Sequence, residues 1–234
     1  MTETLYAALI GDLVASRRDG GQREAVQREL TAIVQELSGR SPFRETLAAP
    51  FELQRGDEVQ ALFRHPSLVV EALQTLTDRM RVAGLEQRIA FGIGYGALST
   101  GELPPAPFQV DRIGTLDGPC FHHARAALER ARKRKTWACF QGFSLGSDAG
   151  LNAFFELMDG IRRGWTERQT QLTLLTREHG QQKAVAKHLG ISPSVVSEGL
   201  KAASFEAIQN GEAAARLLLE DLDPTHDPGN TEDS

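Results

Sequence analysis

The stretch Gln182-Lys-Ala-Val-Ala-Lys-His-Leu-Gly-Ile-Ser-Pro-Ser-Val-Val-Ser-Glu-Gly-Leu-Lys201 constrains the fold more than any other part of the chain. Two short runs of helical periodicity meet at Gly190, which permits a tight turn. Ser192 caps the second run and Pro193 occupies its first turn. Ala186 falls where the two helices touch and a larger side chain would clash. Leu189, Ile191, Val196 and Leu200 face a small shared core, and Leu172, Leu174 and Leu175 place a supporting helix before it. From Arg162 to Phe205 the chain reads as helix throughout, with no strand signal.

The preceding residues have a different character. Leu5 to Gly11 is an apolar run ending in Gly-Asp, a short buried strand. Val26, Leu30, Ile33, Val34 and Leu37 predict an amphipathic helix over Gln22 to Ser38. Phe51 to Gln54 and Val59 to Phe63 read as strands joined in a hairpin through Arg55-Gly-Asp-Glu58. A second helix runs from Leu68 to Met80, closed by Gly84. Arg88 to Leu98 is a strand, Gly101 to Val110 a Pro-rich loop, Gly118 to Lys135 a third helix and Thr136 to Phe140 a last strand. The order βαββαβ with an added αβ unit implies an α+β, ferredoxin-like or palm sheet with helices on one face. Gly92, Gly94 and Gly96 are no dinucleotide fingerprint, because no helix opens at the third glycine. Alternate glycines on a strand instead admit a helix or a ligand close to one face.

The resulting division is a palm domain over 1–145, a connector helix over 146–162, a helical domain over 163–210 and a disordered acidic tail over 221–234. Over all 234 residues the net charge is −5, so no overall basic field marks a nucleic-acid binder, although one face could be basic. The apolar run at Tyr6 to Ile10 is too short for a membrane span and has no charged leader. Cys120 and Cys139 are the sole cysteines, which excludes a disulfide framework and a Cys-rich zinc site. A cytoplasmic protein is the simplest expectation.

Asp12 follows the first strand and Asp57 sits at the hairpin between the next two. In a βαββαβ sheet the first and third strands are central neighbours, so their ends can bring the two carboxylates together. Two such groups repel, and a divalent cation is the usual compensation. Oxygen ligands without His or Cys suit Mg²⁺ or Mn²⁺, ions that position triphosphates. Each residue also has a plainer reading as turn chemistry, since Gly-Asp is a common hairpin dipeptide. Glu58 is a third carboxylate that strand alternation points away from Asp57.

The segments Ile10-Gly-Asp-Leu-Val-Ala-Ser-Arg17, Gln54-Arg-Gly-Asp-Glu-Val-Gln-Ala61, Arg88-Ile-Ala-Phe-Gly-Ile-Gly-Tyr-Gly96 and Asp117-Gly-Pro-Cys-Phe-His-His-Ala-Arg125 resemble those of the bacterial SatD family, in family order. More distantly they are similar to the palm of class III nucleotidyl cyclases and diguanylate cyclases. That likeness implies Asp12 and Asp57 as metal ligands over a nucleoside triphosphate. It also implies a phosphate-facing backbone at Leu13, Val14, Ala15 and Ser16, with Arg17 beside it. Cyclases of that class carry an Asn and, four residues later, an Arg on the third helix. Here those positions are His122 and Ala126, with Arg125 one residue out of register, and a purine-selecting Lys would fall near Leu53. Metal ligands kept and transition-state groups lost imply binding or sensing rather than fast turnover. Cys120, His122 and His123 do not share one helix face, which argues against zinc. Arg130 and the run Arg132 to Lys135 sit favourably at a helix C-terminus, or alternatively form a patch for polyphosphate or nucleic acid.

The segment from Gln182 resembles a helix-turn-helix, which implies DNA as partner. Ser194, Ser197, Glu198 and Lys201 would face the groove and Lys183, Lys187 and His188 the phosphates, with Ser192 at the helix start. Such readers commonly act as homodimers. The expected function is a DNA-binding regulator whose palm binds a triphosphate with Mg²⁺ or Mn²⁺. The alternatives are a metal-dependent nucleotidyl cyclase or transferase, and an empty palm serving as a dimerisation scaffold.

Overall fold

In the computed structural model the residues described are 4–13, 20–54, 57–83, 89–106 and 109–222. A five-stranded mixed sheet forms the centre of an α+β fold, built from β1 (Tyr6–Leu13), β2 (Leu47–Gln54), β3 (Glu58–Phe63), β4 (Ile89–Gly96) and β5 (Ala138–Gln141). Their spatial order is β2-β3-β1-β4-β5. Neighbours run antiparallel except β4 and β5, which are parallel.

Alternation along β1 sorts its side chains into two cores. Ala7, Leu9 and Leu13 pack with α1 (Gly20–Gly39), α3 (Leu68–Val82) and α5 (Leu145–Arg163). Tyr6, Ala8 and Ile10 pack instead with α4 (Pro119–Arg134). Helices therefore cover both faces, not one, because the added αβ unit crosses over to reach β5 and lays α4 on the second face. A four-residue α2 (Phe43–Thr46) precedes β2.

The strand glycines explain how α4 sits. A Cβ on Gly92 would come within 2.0 Å of the Ala124 carbonyl oxygen, and one on Gly94 within 2.1 Å of the Ala124 nitrogen. The backbone of α4 thus rests directly on β4, where any side chain would hold it off. The close approach admitted by these glycines is that of a helix.

Two strand boundaries differ from the sequence expectation. β1 runs on through Asp12 to Leu13. β2 starts at Leu47 rather than Phe51, with register shifts around Ala49 that accommodate Pro50 on this edge strand. At the opposite edge, Asn152 of α5 accepts from the Phe140 nitrogen at 2.9 Å and donates to its carbonyl oxygen at 3.0 Å, which closes β5.

Beyond α5 lie α6 (Glu167–His179), α7 (Gln182–Leu189), α8 (Pro193–Ala202) and α9 (Phe205–Glu220). The first three enclose a core of Leu172, Val185, Ala186, Val196 and Leu200, joined by Phe205. α9 returns to the sheet body, where Ile208, Ala215 and Leu219 share a core with Leu151, Phe155 and Met158. The expected boundary at 210 thus falls inside one continuous helix. Of the disordered tail expected over 221–234, Asp221 instead ends α9 and Leu222 packs against the core, while the residues from 223, like Gly84, lie outside the described residues.

Buried charge joins the sheet body to the helical unit. Arg162 of α5 is 4 % exposed, lies over the Trp137 ring at 4.7 Å and faces Asp78 of α3 and Glu212 of α9. Arg177 of α6 donates to Glu212 at 2.6 Å and to the Gln74 Oε1 at 3.2 Å. Burial drives the Arg162 guanidinium below its ordinary range against the pull of Asp78 and Glu212. Burial is the largest influence on Arg177 and opposes its charge, but the hydrogen bond it donates to Glu212 and the charges of Glu212 and Asp78 together outweigh it and raise its pKa.

Candidate functional site

Two places gather the residues singled out by sequence. The first is the end of β1 and β3. Asp12 is the register partner of Glu58 on β3 and of Ala90 on β4. By parity with Tyr6, Ala8 and Ile10 its side chain belongs to the α4 face, and Glu58, in step with Leu62, belongs to the same face. Asp57 occupies the turn before β3. Its carbonyl oxygen accepts from the Leu13 nitrogen at 3.3 Å, so the backbones of the two carried-over positions do adjoin.

The carboxylates on that face are held by α4. Arg132 pairs with Asp12, and Arg125 grips Glu58 through both terminal nitrogens, one at 2.9 Å. Gln60 adds a donor to Glu58 at 2.6 Å. Arg125 and Arg132 stand two turns apart and so share a helix face. The hydrogen bonds that Arg125 donates to Glu58 hold its pKa above its ordinary value against some desolvation. For the pair Asp12 and Glu58 two guanidinium groups supply the countercharge. Among the described residues no three His, Cys, Asp or Glu side chains group in a metal-holding arrangement. Sequence reasoning undervalued Glu58, and it missed Arg132 as a partner of Asp12. The parity of Glu58 with Asp12 across the two strands was the available signal.

His122, one turn before Arg125 on α4, makes a separate pair. Its Nε2 is 3.1 Å from Asp117, with both side chains largely exposed, at the start of α4. His123 turns the other way, its Nδ1 2.8 Å from the Tyr95 carbonyl oxygen. Cys120 is fully buried, and that burial pushes its thiol up to about 12. Cys139 is raised by burial as well. The basic end of α4 is partly engaged: Arg130 donates to Gln141 at 2.7 Å and Arg134 lies 3.6 Å from Glu156. Val14, Ala15, Ser16 and Arg17 lie outside the described residues. Leu53 packs against the core, paired in register with Val59.

The second place is the helical unit. Gly190 adopts φ 64°, and the Ser192 hydroxyl accepts from the Val195 nitrogen at 3.4 Å ahead of Pro193. Gly199 lets α8 approach α6, since a Cβ there would meet Leu172 Cδ1 at 2.3 Å. With Val196 and Leu200 turned into the core, Ser194, Ser197, Glu198 and Lys201 are exposed on the outer side of α8. Lys183, Lys187 and His188 are exposed on α7, and the His188 ring packs 5.3 Å from that of His179. Among the described residues, no helix is long and apolar enough to cross a membrane.

No curated protein matches the chain. The family model described as the SatD family matches residues 6–219, a span that takes in the sheet, the helical unit and nearly all of α9. The chain therefore belongs to the SatD family.

Proposed function

We propose that this protein is a DNA-binding regulator that uses α6 to α8 as a helix-turn-helix and α8 as the reading helix. The observation that carries the reading is the outward row Ser194, Ser197, Glu198 and Lys201 on a helix capped by Ser192 and seated by Val196 and Leu200. Ser and Lys reach base edges or phosphates, and a carboxylate such as Glu198 accepts from cytosine. Lys183, Lys187 and His188 on the neighbouring helix are available to phosphates. A homodimer would present two such helices to a pseudo-palindromic site.

The sheet body is read as a palm that binds a nucleoside triphosphate with Mg²⁺ or Mn²⁺. The strand order β2-β3-β1-β4 matches a ferredoxin-like arrangement and supports this. The oxygen-only donors Asp12 and Asp57 suit a hard cation, which would neutralise the phosphates. To reach Asp12 the ion must displace Arg132, which would then be free for a phosphate oxygen. A metal-dependent nucleotidyl cyclase is the alternative for this half, with His122 or Arg125 in the missing roles.

Selection of duplexes from a random pool, followed by titration at several salt concentrations, tests the DNA half. A preferred sequence is expected, with affinity falling steeply with salt and Lys183→Ala lowering the slope by about 1. Absence of any preferred duplex overturns it. Mg²⁺-dependent triphosphate binding lost in Asp12→Ala tests the palm, and unchanged affinity in that variant removes the assigned site.

A further inference from the structure

A cleft of about 1240 Å³ opens between α3 of the sheet body and α6 of the helical unit. Five arginines converge on it, Arg40, Arg79, Arg81, Arg168 and Arg177, from three separate stretches of a chain whose net charge is −5. Trp165, Leu174 and Leu175 supply an apolar wall, and the rim carries Glu71, Glu167 and Glu178. The cleft shares Asp78, Gln74 and Arg177 with the buried charge network.

Donors outnumber acceptors at that shared floor. Gln74 is 6 % exposed, and its Nε2 has no hydrogen-bond acceptor among the described residues. The Nε of Arg177 faces Asp78 Oδ2 at 3.4 Å in an ion pair without making a hydrogen bond, and the Arg177 side chain, which lines the cleft, remains 22 % exposed. Buried donors left without acceptors cost free energy, and an oxygen-rich ligand removes that cost. Arginine suits the planar or tetrahedral oxyanion, binding it through paired N–H groups.

We infer that the cleft between α3 and α6 is a binding site for a small organic oxyanion, a carboxylate or a phosphate monoester, with a modest apolar body. The oxyanion meets Arg81 or Arg168 at the wall and Arg177 at the floor, with the buried Gln74 amide behind it, and the apolar part lies along Trp165 and Leu175. Asp78 and the three rim glutamates limit the ligand to one or two negative charges and disfavour an extended polyanion. A ligand so placed touches the sheet body and the helical unit at once. The site is separate from the Asp12–Asp57 end of the sheet and from the outward row of α8, and it shares His188 of α7 with the DNA reading.

Calorimetric titration of the full chain with inorganic phosphate and with succinate, without divalent metal, tests this. Saturable binding of at least one probe is expected, and the stronger probe tells which oxyanion the cleft prefers. Arg168→Ala and Arg81→Ala, both at exposed guanidinium groups, should each weaken it about tenfold, the loss of one charge-assisted hydrogen bond. Arg130→Ala, on α4 and outside the cleft, should leave it unchanged. No saturable binding of either probe up to about 10 mM overturns the inference. Binding in both cleft variants as tight as in the unaltered chain, or a tenfold loss in Arg130→Ala, overturns it as well. Neither result touches the DNA reading, which is scored on duplexes alone.

Discussion

Asp12 on β1 and Glu58 on β3 are register partners, and each holds its own arginine, Arg132 and Arg125, on the α4 helix that covers them. Two like charges side by side across neighbouring strands would be destabilising if left bare. The lattice also fixes α4 against rotation, since its two arginines grip different strands. Removing the Arg125 guanidinium while Glu58 stays charged should cost about 1 kcal/mol, with Arg125 partly screened by solvent. In Arg125→Ala/Glu58→Gln most of that loss should return. Urea unfolding of both variants checks this, and a double variant less stable than the single one would show that Glu58 does not depend on Arg125.

Gly94 and Gly160 offer a contrast of glycines with opposite environments. Gly94→Ala places a methyl group against the backbone of α4, 2.1 Å from the Cys120 carbonyl oxygen, where nothing can yield but the helix itself. A loss of about 3 kcal/mol or more is expected. A Cβ on Gly160, within α5, meets nothing within 4 Å, so Gly160→Ala should stabilise by about 0.5–1 kcal/mol. Thermal unfolding of the two variants reads both signs.

Glu212 carries the charge balance of the network that links α5, α6 and α9. It is 4 % exposed and lies opposite both Arg162 and Arg177. Glu212→Ala leaves the buried Arg162 and the part-buried Arg177 with Asp78 as their one carboxylate in the network and should destabilise by about 3–5 kcal/mol. The same change at Glu220, at the end of α9, should fall within about 0.5 kcal/mol of wild type. Near-equal losses in the two would mean that the network does not hold the helices together.

Cys120 sets an alkaline limit. Its thiol is raised from 9.0 in the unfolded chain to about 12 by burial. The folded state therefore binds this proton more tightly than the unfolded one. Its contribution is complete below pH 9.0 and is lost as the pH climbs toward about 12. Stability should fall across that window, and less steeply in Cys120→Ala. Mass spectrometry after alkylation at pH 8 should find Cys120 unmodified in the native protein and modified in urea.

Much of this architecture was legible because the signals were local. The Gly190 turn, the Ser192 cap and the close approach admitted by Gly92 and Gly94 each depend on a few neighbouring residues. α9 was harder to read, although Phe205, Ile208, Glu212, Ala215 and Leu219 follow helical spacing without a break. A glutamate in the middle of the stripe hides it, and its partners Arg162 and Arg177 lie far back in sequence. The Asp12 lattice was half visible for a similar reason. The hairpin drew attention to Asp57, whereas side-chain parity across two strands selects Glu58, and no local pattern identifies Arg132 seven positions beyond Arg125.

The return of α9 to the sheet body fastens the helical unit at both ends. α5 leads out of the body, α6 to α8 form the excursion, and α9 comes back to lie against Leu151 and Phe155, with Tyr95 donating to the Leu222 carbonyl oxygen at 3.0 Å. A terminal appendage on a single tether could swing freely. A loop pinned at its entry and its exit can only tilt, and any tilt works directly on the packing of the sheet. Cutting the chain after α8 would both release that loop and strip the apolar flank of α5. The helical unit and its platform are therefore one mechanical assembly, in which a load on either is felt by the other.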